Sequence, residues 1–310
     1  MNTDAKQTHR TDDYPTRLAA EAWSDRVDPV VWSEWSPKAP LTKTQEQFYA
    51  DNGYLVLKEL FSKAEVVALQ AVSAALRSGQ IAVPDEDKIT EPGSGDAVRT
   101  VFRLDRHNAL FDRLACDSRI ARIVGHILGD DIYLHQSRLN YKPGFTGKEF
   151  YWHSDFETWH AEDGMPRMRA ISASVLLSDN DVLNGPLMLI PGSHRTFVSC
   201  AGETPAKNHE NSLKQQEIGV PSKDTLTRMA EKCGIDHAAG SAGTVILFDC
   251  NTLHGSNGNI TPFARSNAFF VYNAWSNRLR EPFAANAPRP AFLNERAPKA
   301  PIKIETGALV

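Results

Sequence analysis

The chain has 310 residues, of which 41% are hydrophobic and 23% are charged, and its formal net charge is -4. This balance is typical of a globular protein with a sizeable core, and it excludes the strongly basic surface that binds nucleic acid or anionic lipid. No stretch reaches the eighteen consecutive apolar residues of a membrane span, and the polar N-terminus lacks the apolar core of a signal peptide. Four scattered cysteines without a CxxC pair favour free thiols in a reducing cytoplasm, so we expect a cytoplasmic protein.

The first 130 residues predict mainly helices. Thr and Ser start signals, a Glu at capping-box spacing and Gly stops mark the helix ends. In chain order, the patterns predict an irregular lead-in over 1–40, a short helix ending near Gly53, a strand over 54–57, a helix from Ser62 to Gly79, a polar loop over 84–97 and a helical region over 109–129.

From Ile132 onward the pattern changes to short strands separated by turn sequences such as PGFTG, NDVLNG and HGSNGN. Helices followed by many short strands predict a mainly β fold with flanking helices, a jelly-roll or cupin-like barrel. The polar, partly helical stretch 200–240 interrupts the strands and predicts an insertion over the barrel. We therefore expect one domain over 41–300, followed by a tail over 301–310. The predicted strands are IYLHQSRLNYK, EFYWHSDF, RAISASVLLS, GPLMLIP, GTVILFD and SNAFFVYNAW.

The strand that begins at Ile132 carries polar side chains on one face. Because side chains alternate along a strand, Gln136, Arg138, Asn140 and Lys142 point the same way. A surface strand would show the same alternation. The opposite face is not cleanly apolar, however, so the polar face could equally line a wet cavity that holds a ligand.

A metal site is predicted by His153 and Asp155 in the segment FYWHSDFETWH. On a strand, residues i and i+2 share a face, so this imidazole and this carboxylate can converge on one point. His254, at the end of a later strand pattern, is the candidate third ligand. Two histidines and one carboxylate leave other positions open, which is the facial arrangement of non-haem Fe(II) oxygenases. The same ligands suit zinc, so a zinc hydrolase stays open, as does a cupin-like module that binds without turnover.

Arg265, eleven residues after His254, is a candidate clamp for the far carboxylate of a dicarboxylate bound to the metal. Ser256 could donate a hydrogen bond to the same group. The alternative for Arg265 is a solvated strand end. A structural role, rather than metal binding, is expected for the nearby polar residues Glu157, His160 and His194.

Together these motifs resemble a known family. The order HxD, PGSH at 191–194, HGSxxN and then Arg265 resembles the phytanoyl-CoA dioxygenase family of 2-oxoglutarate enzymes. The block FYWHSDFETWHAEDGMPRMRAIS at 150–172 is similar to the signature stretch of the family members that hydroxylate ectoine. The resemblance covers about residues 40–300 without a departure at the ligand positions. Asp155 in particular is retained, whereas related halogenases carry a small residue there to admit halide.

The resemblance implies a double-stranded β-helix that holds Fe(II) through His153, Asp155 and His254. It implies hydroxylation of ectoine to 5-hydroxyectoine with 2-oxoglutarate and O2 as co-substrates, releasing succinate and CO2, in a homodimer that serves stress protection. A related hydroxylase of another small cyclic or acyl substrate is the alternative. The implied 2-oxoglutarate contacts are Lys142, Asn140, Phe150, Ser256 and Arg265. The implied ectoine contacts are Gln136, Thr158, Trp159, Phe248 and Phe269.

Such a pocket suits the chemistry of ectoine, which is a small cyclic zwitterion with an amidinium cation and a carboxylate. Aromatic faces attract a cation by about 0.5–2 kcal/mol each. The Gln136 amide can fix the orientation of the ring by a hydrogen bond. Ordinary core packing is the alternative reading of each aromatic residue taken alone.

Overall fold

The computed structural model describes residues 12–90, 98–213 and 216–310, and these ranges contain thirteen strands and eight α-helices. The strands are β1 (Ala22–Asp25), β2 (Tyr54–Leu57), β3 (Lys88–Thr90), β4 (Val98–Phe102), β5 (Ile132–Lys142), β6 (Phe150–His153), β7 (Ala170–Leu176), β8 (Leu187–Leu189), β9 (Thr196–Ser199), β10 (Asp236–Ala238), β11 (Val245–Asp249), β12 (His254–Ser256) and β13 (Arg265–Ala274).

The helices are α1 (Lys43–Asn52), α2 (Lys63–Ser78), α3 (Leu104–His107), α4 (Ala109–Ala115), α5 (Ser118–Leu128), α6 (Asp155–Thr158), α7 (Asn208–Ser212) and α8 (Lys223–Cys233). A π-helical turn, Trp159–Asp163, continues α6. Among the described residues, none of the helices combines the length and the apolar composition that a membrane span requires.

The expected ends of α1 and α2 are confirmed. Thr42 and Ser62 each form a capping box, in which the side chain accepts a hydrogen bond from a backbone amide three residues later. Gly53 and Gly79 end the two helices in the left-handed conformation that favours glycine. These ends depend on local chemistry alone, which is why the sequence predicts them well.

Three local expectations differ from the structure. The helical region over 109–129 is divided, because Asp117 accepts a hydrogen bond from the Arg119 amide and starts α5 as a new helix. The polar loop over 84–97 contains β3, and its residues 91–97 lie outside the described ranges. The irregular lead-in contains β1, which pairs with β9.

Two antiparallel sheets form the barrel. The large sheet has the order β2-β11-β7-β13-β5-β4-β3, and the small sheet has the order β10-β8-β12-β6. The mainly β jelly-roll fold with flanking helices is thus confirmed. Strand β10 belongs to the stretch 200–240, so the end of the predicted insertion is part of the small sheet.

Alternation along strand β7, an inner strand of the large sheet, separates the two sides of that sheet. Ile171, Ala173 and Val175 pack against the core formed with the flanking helices. Leu176 faces the other way, into an apolar cluster that joins both sheets. Ser172 lies on this inner side too, and its hydroxyl donates a hydrogen bond to Asp155 at 3.3 Å. The inner space between the sheets is therefore where the candidate site lies.

His194 lies against the turn that ends α1. A Cβ added to Gly53 would come within 2.4 Å of the His194 ring, so only glycine fits there. Burial lowers the pKa of His194 from 6.5 to about 4. Its expected structural role agrees with this position, since its Nε2 lies 3.2 Å from the Ala50 carbonyl in the residues preceding the turn.

Because His194 is buried with a lowered pKa, we expect the free energy of unfolding to fall in weak acid. Between pH 6.5 and 4 the unfolded chain binds a proton at this position and the folded chain does not, so folding loses free energy as pH falls. We expect the free energy of unfolding of the metal-free protein to fall by about 1 kcal/mol between pH 7 and 5.5 because of this residue. Urea unfolding at the two pH values measures it. His194→Gln should show a smaller pH dependence, and an unchanged one would contradict the assignment.

Candidate metal centre and adjoining cavity

His153 and His254 face each other across two paired strands. They are cross-strand partners in β6 and β12, and their ring centroids are 4.2 Å apart. The Nδ1 atom of His153 lies 2.8 Å from the Tyr151 carbonyl, and that of His254 lies 2.9 Å from the Thr252 carbonyl. An Nδ1–H that donates to a carbonyl fixes the tautomer, so each ring presents an unprotonated Nε2 as a metal ligand.

Asp155 completes the cluster, but not as a strand residue. Strand β6 ends at His153, and Asp155 is the first residue of α6. Ser154 is still extended, with φ -108° and ψ 130°, and this keeps the carboxylate on the side of His153. The expected convergence is confirmed, whereas the expected strand beyond Ser154 is wrong because the chain turns into a helix. Glu157 accordingly does not share a strand face with Asp155.

The three ligand atoms lie close enough to hold one metal ion. They are within 4.8 Å of one another, with 3.6 Å between His153 Nε2 and Asp155 Oδ1 and 3.9 Å between His254 Nε2 and Asp155 Oδ2. No other such group of three occurs in the parts of the chain that the structure describes. Two imidazole nitrogens and one carboxylate fit iron(II), and they leave positions for further ligands.

The protonation states also suit a metal. Burial by itself would raise the pKa of Asp155, but His254, His153 and Arg138 lower it below its ordinary range. Burial and the neighbouring His153 lower the pKa of His254 to about 4. At neutral pH the site therefore offers a carboxylate and a neutral His254, which are the forms that bind a metal.

An open cavity of about 960 Å³, including its mouth, leads to the two histidines. The large sheet contributes the polar face of β5, and the small sheet contributes β6 and β12. Of the two alternatives for this face of β5, a surface strand and a cavity wall, the structure shows the second, because Arg138, Asn140 and Lys142 all belong to the wall.

All five residues expected to contact 2-oxoglutarate line this cavity, namely Asn140, Lys142, Phe150, Ser256 and Arg265. Lys142 and Arg265 are cross-strand partners, and the Lys142 ammonium donates to the Ser256 hydroxyl at 2.9 Å. Burial lowers the pKa of Arg265 to about 10, and its Nε has no hydrogen-bond acceptor within the described residues. A cation that has an unused donor and lines a cavity is suited to bind an anion.

The residues expected to bind ectoine are less closely grouped. Phe269 lines the cavity, and the Phe248 ring lies 4.9 Å from that of His254. Gln136 lies beyond the cavity wall, where its amide donates to the Leu293 carbonyl at 2.7 Å. Its position on β5 nevertheless keeps it on the same strand face as the lining residues.

Thr158 and Trp159 also lie outside the cavity lining. Thr158 and Trp159 lie three and four residues after Asp155. Residues at these spacings share a helix face, so both lie on the same side of α6 and its π-helical continuation as Asp155. Trp159 packs edge-on against His135 with ring centroids 5.3 Å apart, and Thr158 accepts a hydrogen bond from Gln216. The structure thus places them one helical turn from the metal ligand.

An N-terminal segment, Thr16 and Arg17, holds the helix that carries Asp155. Arg17 donates from Nε and Nη2 to the two carboxylate oxygens of Glu157, at 2.7 and 2.9 Å. The same guanidinium reaches Glu162 at 3.1 Å, and both partners are buried. Arg17 has a φ of 58°, a conformation that residues other than glycine seldom adopt. Sequence patterns did not suggest this contact, because it joins residues 140 positions apart.

Replacement of Arg17 by methionine is expected to destabilise the protein by about 3–5 kcal/mol, because Glu157 is left as an uncompensated buried charge. Iron(II) affinity should fall as well, since Glu157 lies one helical half-turn from Asp155. Urea unfolding and iron titration measure the two effects. Arg17→Met with Glu157→Gln should recover much of the stability. Arg195→Met, at an exposed arginine, is the matched control and should cost no more than about 0.5 kcal/mol.

Comparison with known proteins agrees with this geometry. Residues 49–267 match the family model described as Phytanoyl-CoA dioxygenase (PhyH). The chain belongs to the phytanoyl-CoA dioxygenase family. Among its relatives, the ectoine dioxygenase of Sphingopyxis alaskensis is 53% identical over 96% of this chain and 97% of the relative. That of Stutzerimonas stutzeri is 51% identical over 95% of this chain and 98% of the relative.

Solved structures show the same likeness. The crystal structure of EctD from S. alaskensis with 2-oxoglutarate and 5-hydroxyectoine has a TM-score of 0.89 and 49% sequence identity to this chain. The match covers 97% of this chain and 100% of the EctD chain. EctD from the same organism with bound Fe has a TM-score of 0.88, 48% identity and the same coverage. The family resemblance and the fold expected from the sequence are both confirmed.

Proposed function

We propose that this protein hydroxylates ectoine to 5-hydroxyectoine, with iron(II) as cofactor and 2-oxoglutarate and O2 as co-substrates. The observation that carries the proposal is the Arg265 guanidinium, which lines the same cavity as His153 and His254, the two histidines of the three-residue cluster. A zinc hydrolase or a passive binding module has no need of a cation placed to receive a dicarboxylate. Near-complete coverage by relatives named ectoine dioxygenase supports ectoine as the substrate.

In this proposal the cavity orients the co-substrate by its two ends. Arg265, Lys142 and Ser256 bind the distal carboxylate, so the keto-acid end of 2-oxoglutarate points toward the three metal ligands. The carbonyls of Tyr151 and Thr252 hold the two imidazole rings in the orientation that binds the metal. Bound iron(II) supplies the activation of O2 and, with 2-oxoglutarate, the oxidising power that inserts oxygen into a C–H bond.

Aromatic residues provide the rest of the proposed substrate site. Phe248 and Phe269 belong to the apolar cluster between the sheets and lie next to His254 and the cavity. Their faces attract the amidinium of ectoine and exclude water from the reacting carbon. Gln136, Thr158 and Trp159 stay predictions as ectoine contacts.

The decisive experiment is an anaerobic incubation with iron(II), 2-oxoglutarate and ectoine that is then opened to air. We expect succinate and 5-hydroxyectoine in equal amounts, measured by mass spectrometry. Succinate without hydroxyectoine would remove ectoine as the substrate and favour another small cyclic or acyl compound. Turnover that persists with zinc and without 2-oxoglutarate would favour the hydrolase.

We also propose that the enzyme acts in the cytoplasm. All four cysteines are free, including Cys200 and Cys250 in the interior, as suits a reducing compartment. A homodimer stays a prediction of the resemblance, and sedimentation equilibrium of the purified protein would check it.

A further inference from the structure

Strand β5 contains a β-bulge at His135. The consecutive β13 residues Val271 and Tyr272 pair with Gln136 and Leu134, so His135 has no partner in β13. Bulges re-aim the side chains of a strand, and they are common next to active sites. The bulge therefore changes which side chains of β5 face the inner side of the large sheet.

His135 faces the inner side because of this bulge. Leu134, before the bulge, packs against the core formed with the flanking helices, whereas Arg138, after it, lines the cavity. Strict two-residue alternation would place Leu134 and Arg138 on one face. Since the bulge inserts one extra residue, His135 points to the same side of the sheet as Arg138, although they are three positions apart.

On the inner side, His135 lies between an indole and a carboxylate. Its ring is edge-on to that of Trp159, with 5.3 Å between the centroids, and its Nε2 lies 3.5 Å from Asp163 Oδ2. All three side chains are buried. Neither ring nitrogen of His135 makes a hydrogen bond to the described residues, and burial of a polar atom in that state costs free energy. Other contacts must therefore maintain this arrangement.

Asp163 and Trp159 belong to the helical segment that begins with the proposed metal ligand. Asp155, Trp159 and Asp163 follow one another at intervals of four residues along α6 and its π-helical continuation. Side chains at this spacing lie near one face of a helix, and π-helical turns are frequent at functional sites. His135 contacts the last two of these three side chains.

The C-terminal segment that contains Arg289, Asn294 and Glu295 holds the other two groups in place. Arg289 donates from Nε and Nη2 to the Asp163 carboxylate at 2.8 and 2.5 Å, and Asn294 donates to Oδ1 at 2.8 Å. The Glu295 amide donates to the His135 carbonyl at 2.8 Å. Burial by itself would raise the pKa of Asp163, but Arg289 and His135 lower it below its ordinary value. The carboxylate beside His135 is thus ionised at neutral pH and fixed in position.

The Trp159 indole, in contrast, is held by packing. Its N–H makes no hydrogen bond within the part of the chain that the structure describes, and there His135 is its one aromatic partner. Its other neighbours form an apolar cluster that includes Phe156 and Met165. Apolar contacts are not directional, so they leave the tilt of the indole less constrained than the edge of a fixed ring does.

We propose that His135 is a positioning residue that orients the Trp159 indole and is itself held by Asp163. This inference rests on the proposed function, in which Trp159 is a predicted ectoine contact. A fixed indole keeps the substrate in the one place where oxidation of 2-oxoglutarate leads to hydroxylation. Neither His135 nor Asp163 lines the cavity, so both act through Trp159.

The test is a double-mutant cycle between His135 and Trp159. Wild type, His135→Gln, Trp159→Phe and the double variant are titrated with ectoine by calorimetry, with iron(II) and 2-oxoglutarate but without O2. His135→Gln keeps an amide donor near the position of Nε2 and removes the ring. We expect it to raise the Kd for ectoine roughly 3- to 30-fold, but by less than about twofold when Trp159 is already phenylalanine.

Product yields in air separate positioning from general damage to the fold. His135→Gln should form more succinate than 5-hydroxyectoine, while its KM for 2-oxoglutarate stays within about twofold of the wild-type value. His135→Phe restores an aromatic edge, so its Kd for ectoine should lie between those of the wild type and of His135→Gln.

The matched control is His126→Gln, because His126 also pairs with a carboxylate, that of Glu46, but lies on α5. It should retain the wild-type Kd for ectoine and equal yields of the two products. Urea unfolding of each variant shows that the folded state is being titrated, and His135→Phe replaces His135→Gln in the cycle if the latter does not fold.

Three outcomes would overturn the inference: wild-type affinity for ectoine in His135→Gln, wild-type affinity in Trp159→Phe, or an equal rise in Kd with and without the indole. Failure of the proposed function is a distinct result, because wild-type protein would then form no 5-hydroxyectoine in air.

Discussion

Asp155→Ala is expected to abolish iron binding and hydroxylation together. The substitution removes the only carboxylate of the three-residue cluster and leaves two imidazoles, which hold a divalent cation weakly. Because loss of a residue that merely supports a ligand costs roughly 10- to 100-fold in metal affinity or activity, loss of the ligand itself should cost more. Metal analysis after gel filtration measures bound iron, and mass spectrometry measures 5-hydroxyectoine.

Asp51→Asn is the matched control, since this carboxylate is exposed and pairs with Arg195 far from the cluster. It should retain iron and activity. An Asp155→Ala protein that still binds one iron per chain with wild-type affinity would remove the carboxylate from the proposed ligand set. Unfolding curves for both variants exclude loss of the fold as the cause.

Arg265→Met is expected to weaken 2-oxoglutarate binding strongly while leaving iron binding intact. Charge-assisted hydrogen bonds contribute about 1.5–3 kcal/mol each, so the Kd for 2-oxoglutarate should rise roughly 10- to 100-fold or more. Arg265→Lys keeps the positive charge but loses the planar guanidinium. Its Kd for 2-oxoglutarate should lie between those of the wild type and of Arg265→Met. Ser256→Ala should cost only about 0.5–1.5 kcal/mol, because it removes one neutral donor.

Anaerobic calorimetry of iron-loaded protein with 2-oxoglutarate measures this effect, and iron titration of the same samples is the control. Wild-type affinity for 2-oxoglutarate in Arg265→Met would contradict the clamp. Equal loss of iron and 2-oxoglutarate would instead assign Arg265 a structural role in the barrel.

The local features of the chain were predictable because short-range chemistry determines them. Capping boxes at Thr42 and Ser62 determine where α1 and α2 begin, and a left-handed glycine ends each. Two-residue alternation placed Arg138, Asn140 and Lys142 on one face of β5, and that face lines the cavity. The strand pattern failed after Ser154, since an extended residue followed by a helix start resembles a continued strand.

The candidate site was predictable in part. The types and order of its residues, read with the family resemblance, indicated His153, Asp155 and His254, and the structure brings their ligand atoms together. The missed residues act through contacts that leave no periodic signal. Thr16 and Arg17 reach Glu157 from the N-terminal lead-in.

The amino-acid sequence by itself determined the capped ends of α1 and α2, the polar face of β5 and the chemistry available to the protein. Tertiary structure alone decided which of these groups meet. The register of β6 with β12 places His153 opposite His254, and the register of β5 with β13 places Lys142 opposite Arg265. Such pairings join residues about a hundred positions apart, and they depend on the packing of whole sheets rather than on neighbouring residues.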